Sequence, residues 1–409
     1  MFKGKLNPVM LKTKLLLIFI ILAYAPISIK AQQNDLAIVA NLNKVIKPIY
    51  TLRGDTNFAE IDFLKETLKN KEVIALGEVT HGTAEVFDYK DRLVRYLVTH
   101  LNYKAIAFES DFLAIEYIDS YITGKVDSIK YVAGTAIMRS NDLMIEWLRR
   151  YNRDKSDEDT VRIYGLESRN YTNVFNKLIS AIPNLDKADK NLMETYLAKP
   201  FNSELTKQEI KGIKSMLLKL ESLQLSDFNR QYVVMLDQLL SNDGNRLARD
   251  QYLAKNATWI KEQAKNNKLI LWAHNGHLAK EEINNYQTLG THLHNKYGSN
   301  YYVIATDFNS GKAYVNVFVA KNKPLLGFQA HFFASVGSAK WYEFYFTQCQ
   351  YKNFILDIEA ATKDKLLEQF LTQPLLMRSI GGISSPEGQK LSISRNFDMV
   401  VYFDKTTSI

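Results

Sequence analysis

The sequence predicts an α/β fold: a central, mostly parallel sheet flanked by helices, with a large all-helical insertion near the C-terminal ends of the strands. Three observations predict it. Short continuous apolar runs at 73–76, 104–108, 161–166 and 268–273 read as strands covered on both faces. Each run leads directly into a carboxylate or an imidazole, at Glu78 (after Gly77), Glu109, Glu167 and His274. Between about 170 and 266 there is helical spacing and no strand signal.

Taken in order, 34–70 reads as amphipathic helix with an excursion at Arg53-Gly54-Asp55-Thr56. The first strand, 73–76, is broken by Gly77, and Glu78 and His81 follow three residues apart in a polar loop. Val86, Phe87, Leu93, Val94 and Leu97 then fall at helical spacing, predicting a helix over 84–99. A second strand, 104–108, ends on Glu109. Helices are expected over 114–123, stopped by Gly124, and over 141–151. The acidic loop Ser156-Asp157-Glu158-Asp159 precedes the strand that ends on Glu167.

The insertion reads as helices over 174–182, 190–198, 203–225, 228–240 and 245–264, expected over the strand ends as a cap or substrate wall. The strand at 268–273 ends on His274, with His277 three residues on. Further strands are expected at 302–307, 314–320, 354–358 and 399–403. Gly381-Gly382 and Ser384-Ser385-Pro386 mark loops. With no internal repeat and no flexible linker, one α/β core over 32–409 with a helical insertion over about 170–266 fits better than two tethered domains.

The 409 residues suffice for a substantial core, being 46% apolar and 12% aromatic. The net charge of +8 resides largely in the first 31 residues, which carry Lys3, Lys5, Lys12, Lys14 and Lys30 and no acid. Without them 47 basic residues face 44 acidic ones, which argues against a nucleic-acid partner or an anionic membrane surface. These first residues read as an export signal: lysines, an apolar core over 15–25, Pro26, and a cleavage point at Ala31. Met10 is an alternative start that makes the signal more compact. The apolar core is short for a membrane span, so the mature chain is expected to be exported, periplasmic or secreted, with no stable membrane partner. An uncleaved anchor is the alternative. Cys349 is the only cysteine, which excludes an intrachain disulfide and cysteine-based zinc clusters.

Parallel strands joined by helices present their C-terminal ends at one edge, where open α/β sheets bind ligands. Glu78, His81, Glu109, Glu167, His274 and His277 are therefore expected in one crevice. Histidine titrates nearest neutral pH, and a carboxylate beside it orients the ring and stabilises the imidazolium. Glu78 and His81 in one turn, with Glu109 on the next strand end, supply such a pair. Arg249, in Asn245-Arg246-Leu247-Ala248-Arg249-Asp250, could bind a carbonyl oxygen as negative charge develops, or could be a solvated helix residue. Lys90, one turn inside its helix, could do similar work or lie at the surface. The G-x-S-x-G elbow, the H-E-x-x-H helix and a glycine-rich phosphate loop are all missing. His274, His277, His81 and the glutamates could assemble a metal site by ligand type, but no cofactor is expected.

At these residues the chain resembles the erythromycin esterase family. Gly77-Glu78-Val79-Thr80-His81-Gly82 is similar to the family's G-E-x-x-H-G. Phe108-Glu109, Trp147-Leu148-Arg149-x-Tyr151-Asn152, and Arg249-Asp250 followed by Asn256 and Trp259 support it. So do Trp272-Ala273-His274-Asn275-x-His277 and the ending Phe397-Asp398-Met399-Val400-Val401-Tyr402-Phe403-Asp404. The resemblance spans roughly 40–405 and implies hydrolysis of a macrolide lactone, with a small-molecule substrate such as erythromycin. It implies His81 as the general base, Glu78 and Glu109 positioning the water or the imidazole, and His274 in the same catalytic set. Arg249, His277, Lys90 and Glu167 are expected to bind substrate. Two positions depart from the family pattern: Lys90 stands where some esterases carry arginine, losing the planar fork, and Glu167 stands where aspartate is frequent. The alternatives are a metal-dependent hydrolase of another ester or peptide, and a non-catalytic module binding haem or a small ligand. Oligomeric state is not legible.

Overall fold

The computed structural model describes residues 33–129, 140–242, 246–283, 285–320 and 323–409. The expected export signal at 1–31, with Met10, lies outside these residues.

Eleven strands are described: β1 (Lys47–Pro48), β2 (Val73–Glu78), β3 (Ala105–Asp111), β4 (Arg162–Glu167), β5 (Leu269–His274), β6 (Tyr301–Asn316), β7 (Phe328–Phe333), β8 (Asn353–Asp357), β9 (Leu375–Arg378), β10 (Gly388–Leu391) and β11 (Met399–Thr406). Nine form one mixed sheet in the order β1-β8-β11-β6-β2-β5-β3-β4, with β7 paired to β6. The run from β11 to β4 is parallel throughout, and β1, β7 and β8 pair antiparallel. This is the expected α/β class, a mostly parallel sheet flanked by helices. β9 and β10 form a separate two-stranded sheet.

The apolar runs become strands because both faces are covered. Every residue of β2 is buried. Ile74, Leu76, Ile106, Phe108 and Trp272 face Phe87, Leu93, Val94 and Leu97 of helix Ala84–Leu101. Val73, Ala75, Ala105, Ala107 and Leu271 join the other core with Val174, Phe175, Met193, Ile213, Leu236, Leu253 and Ile260. Those seven come from five helices between β4 and β5: Tyr171–Ala181, Lys187–Leu197, Lys207–Glu221, Asp227–Ser241 and Arg246–Gln263. The helical stretch thus covers a face of the sheet. It reaches the site at the strand ends through Arg169, just before its first helix, and through Arg249 and Asp250, near the start of its last.

β7, β9 and β10 are not among the strands expected from the sequence, and two other segments differ from its reading. The stretch 34–70 is helical only over 33–45 and in the short pieces Ala59–Ile61 and Leu64–Leu68. Between them Lys47 and Pro48 pair with Ile355 and Phe354 at the sheet edge, where a proline lacking its N–H is tolerated. The strands expected at 302–307 and 314–320 begin as one strand, β6, which ends at Asn316. Gly311, at φ +139°, carries it past Thr406; a Cβ there would lie 2.1 Å from the Thr406 carbonyl oxygen. A glycine inside a polar stretch reads as a break, and only its tertiary neighbour makes it a strand residue.

Candidate active site

The parallel register sets the site. Glu78 of β2 pairs with His274 of β5, and Phe108 of β3 pairs with Trp272. The ends of β2, β5 and β3 therefore lie side by side, with β4 beyond β3. Both glycines of Gly77-Glu78-Val79-Thr80-His81-Gly82 are required by close approach. A Cβ at Gly77 would lie 2.1 Å from Asn275 Oδ1, and one at Gly82 would lie 2.2 Å from the Tyr314 carbonyl oxygen. Asn275 bonds the backbone of Thr306 in both directions, tying β5's end to β6. Tyr314 donates its N–H to the Gly82 carbonyl at 2.9 Å.

Glu78 and His81 form the first half of the site. His81 Nδ1 lies 2.5 Å from Glu78 Oε1. The other carboxylate oxygen accepts from Lys90 Nζ and from Trp272 Nε1, each at 2.7 Å. The Lys90 ammonium also sits 4.0 Å above the Trp272 ring. Glu78 and Lys90 are both 0% exposed, whereas the His81 side chain is 34% exposed. No described residue bonds His81 Nε2, so that nitrogen is available to a ligand. Burial alone would raise the Glu78 carboxyl, but the Lys90 charge and the His81 contact bring it down to about 2. Burial works to lower the His81 imidazole. The Glu78 hydrogen bond and charge, aided by Glu109, outweigh it and hold the pKa above 6.5.

His274 separates the two halves. Its ring lies 5.9 Å from that of His81 and 6.5 Å from that of His277. Nδ1 accepts from the Gly276 N–H at 3.2 Å, so Nε2 carries the proton and donates to the Val79 carbonyl at 2.9 Å. Burial and the neighbouring imidazoles push its pKa down to about 4. Both ring nitrogens of His274, expected in the catalytic set, are engaged within the chain, and the bond to Val79 ties it to the His81 loop. The Val79 carbonyl also accepts from Ile380 and Gly381 at 3.0 and 3.1 Å. This pins the 380–384 loop beside the site, where Gly381 adopts φ +62°.

The second half is a charge network. Arg249 grips Glu167 with Nε at 2.7 Å and Nη2 at 2.6 Å, and reaches Glu109 at 2.9 Å. Its Nη1 lies 3.1 Å from His277 Nε2. His277 Nδ1 lies 2.7 Å from Asp250, which also accepts from the Leu289 N–H. Glu109's second oxygen accepts from the His274 N–H at 3.1 Å. Arg169 joins from the other side, with Glu167 at 2.6 Å and the Glu109 carbonyl at 3.0 Å. Burial would raise Glu109 and Glu167; His277 and Arg249 hold the first well below its usual range, and Arg169 and Arg249 lower the second. Burial opposes protonation of His277, yet Glu109 and Asp250 raise its pKa.

The crevice thus gathers Glu78, His81, Glu109, Glu167, Arg249, His274 and His277 at adjoining strand ends. Lys90 is the exception. Expected to face substrate, it lies wholly buried beneath Glu78, because the packed side of its helix carries it under β2 and β5. Arg249 and Glu167 contact each other, so the fork is already filled by carboxylates. Sequence reasoning missed Arg169, Asp250 and Trp272 as members of the site. The available signals were an arginine two residues past a strand-end acid, an aspartate next to Arg249, and a tryptophan two residues before His274. Among the described residues no group of three or more His, Cys, Asp or Glu side chains is arranged to hold a metal ion.

An α/β sheet carrying paired imidazoles and carboxylates along its C-terminal edge defines a class of ligand-binding or catalytic protein. A model of the erythromycin esterase family matches residues 98–406, starting in the helix after the His81 loop. The chain belongs to the erythromycin esterase family. It is 25% identical over 268 residues to the putative hydrolase YbfO of Bacillus subtilis, covering 54% of this chain and 59% of that protein. It is 23% identical over 272 residues to the type I erythromycin esterase of Escherichia coli, covering 56% and 66%. The matched stretch therefore spans less than two thirds of either relative. In fold it is similar to a succinoglycan biosynthesis protein, with TM-score 0.79, 23% identity and coverage of 91% and 98%. It is also similar to a mutant erythromycin esterase in its open conformation, with TM-score 0.65, 18% identity and coverage of 88% and 98%.

Proposed function

We propose that this chain is a carboxylic ester hydrolase that opens the lactone of 14-membered macrolides such as erythromycin, using water activated by His81. The observation that carries the reading is the one ring nitrogen of the three site histidines, His81, His274 and His277, that no described residue bonds. His81 Nδ1 is anchored on a buried carboxylate, while the side chain is 34% exposed and no described residue bonds Nε2. Family membership supports the reaction class.

His81 Nε2 takes a proton from water as the water oxygen bonds to the lactone carbonyl carbon. Glu78, kept anionic by Lys90 and Trp272, stabilises the imidazolium. The carbonyl oxygen becomes negatively charged, and the exposed edge of Arg169 supplies positive charge nearby. The carbon–oxygen bond to the ring then breaks, and the imidazolium returns its proton to the departing alkoxide. The product is one open chain carrying a hydroxyl and a carboxylic acid. Glu109 and Glu167 hold the arginines, and Lys90 is a positioning residue rather than a substrate contact. Export directed by residues 1–31 would let the enzyme meet the antibiotic outside the cytoplasm and so confer resistance.

The pH profile of erythromycin hydrolysis tests the assignment. A general base acts when deprotonated, and the His81 pKa is raised, so kcat/KM rises with pH through an ionisation above 6.5. Replacing Glu78 by Gln removes the anion that favours the imidazolium, so in the Glu78→Gln variant the limb moves to lower pH as its plateau falls. An unmoved limb, or no hydrolysis at any pH, would overturn the reading. The mechanism uses no metal. Exhaustive chelation leaves the rate unchanged, whereas a loss restored by one divalent ion would favour a metallohydrolase instead.

A further inference from the structure

Outside the site described above, two buried carboxyl groups meet. Asp307 of β6 and Glu343 of the short helix Tyr342–Phe346 are fully buried and lie within hydrogen-bonding reach of one another. Each has one oxygen satisfied by a backbone N–H. Asp307 Oδ1 accepts from Phe308 at 2.8 Å, and Glu343 Oε1 accepts from Arg378 at 2.6 Å. The other two oxygens, Asp307 Oδ2 and Glu343 Oε2, are buried with no donor among the described residues. A proton held between the two groups supplies the missing donor and removes one buried charge.

The surrounding groups do not neutralise both acids. Arg378 of β9 brings a positive charge, but its Nη1 lies 3.1 Å from Glu387, and its Nε and Nη2 donate to the carbonyls of Asn309 and Ala334. β11 presents Tyr402, whose buried hydroxyl has no partner, and Asp404, which accepts from Asn309 and Thr347. Tyr342, beside Glu343 on its own helix, donates to the Gln373 carbonyl. His277, on the helix after β5, is taken by Asp250 and Arg249. Burial, then the Glu343 charge, hold Asp307 well above its usual range, and burial raises Glu343.

We propose that Asp307 and Glu343 share one proton, and that this proton locks the 379–384 loop onto the turn that carries His81. The connection runs along the chain. Glu343 holds the Arg378 N–H, and Ser379 next to it donates to the Glu387 carbonyl at 2.9 Å. Ile380 and Gly381 then donate to the Val79 carbonyl, and the Gly381 carbonyl accepts from the Thr80 hydroxyl at 2.7 Å. When the proton leaves to water, two anions face each other without a donor between them. Their repulsion displaces Glu343, and with it the start of the loop.

An acid whose folded pKa is raised contributes stability that is full below its unfolded pKa and is lost as pH rises through the folded one. Thermal unfolding of the full chain is therefore followed across pH for wild type, Asp307→Asn and Glu343→Gln. Either amide gives the remaining carboxylate a permanent donor and keeps the charge of the shared-proton state. The wild-type Tm is expected to fall, relative to both variants, as pH rises from the ordinary carboxylate range of about 4 through neutrality. Hydrogen exchange reads the loop. Protection of the Ile380 and Gly381 N–H groups is expected to be lost in wild type at alkaline pH and kept in both variants. The intrinsic exchange rate rises with pH equally in all three proteins, so the comparison cancels it. Tm curves that run parallel in the three proteins would overturn the shared proton. Diverging Tm curves with equal protection at Ile380 and Gly381 would overturn its hold on the loop. Neither measurement needs a substrate, so both stand apart from the hydrolase reading.

Discussion

Replacing His81 by Ala is expected to lower kcat/KM for erythromycin about 10³-fold while leaving the fold intact, the scale of a lost general base. The magnitude follows from the lack of a substitute. His274 is committed through both ring nitrogens, to Gly276 and Val79. His277 is committed to Asp250 and Arg249. Neither can approach a water that His81 has left. The fold should survive because the His81 side chain is partly exposed, and Glu78 keeps Lys90 and Trp272 without it. A variant retaining activity within tenfold of wild type, with its thermal unfolding unchanged, would contradict the role.

Lys90→Met is expected to be the most destabilising single change in the site. Both members of the Lys90–Glu78 pair are 0% exposed, and removing one partner leaves a buried charge uncompensated. Such a loss costs about 3–5 kcal/mol. The remaining carboxylate relieves itself by protonation, so its pKa rises from about 2 and the His81 imidazolium loses its stabilising anion. Activity and Tm should fall together. Pairing the change with Glu78→Gln removes the stranded charge, so the double variant should regain most of the stability and none of the activity. Thermal melts and initial rates of the two singles and the double check this. A Lys90→Met protein that melts with wild type would contradict a buried ion pair.

How far this site was legible follows from what each signal encodes. Glu78, Glu109, Glu167 and His274 could be grouped because an apolar run that ends abruptly also fixes where its last side chain emerges. His81 and His277 followed from their spacing to those ends. Lys90 was misjudged because helical spacing gives the face of a residue but not what covers that face; here β2 and β5 cover it. The state of His274 was invisible in the sequence, since it depends on the Val79 carbonyl approaching from the loop after β2 while the Gly276 N–H, two residues on, meets the other ring nitrogen. Arg169 lay hidden as one arginine among many, distinguished only by where β4 ends. In the fold, the four strands ending at the site were readable as apolar runs. β7, with Phe328 and Phe332 exposed, and the full length of β6 were not, because an edge ribbon with one open face lacks the continuous apolar pattern of the centre.

Mass spectrometry of erythromycin incubated with the purified mature chain, beside the His81→Ala variant, tests the central claim most directly. The account predicts a gain of one water in the macrolide with wild type, and no change with the variant. An unchanged mass with folded wild-type protein, or the same gain with His81→Ala, would contradict it.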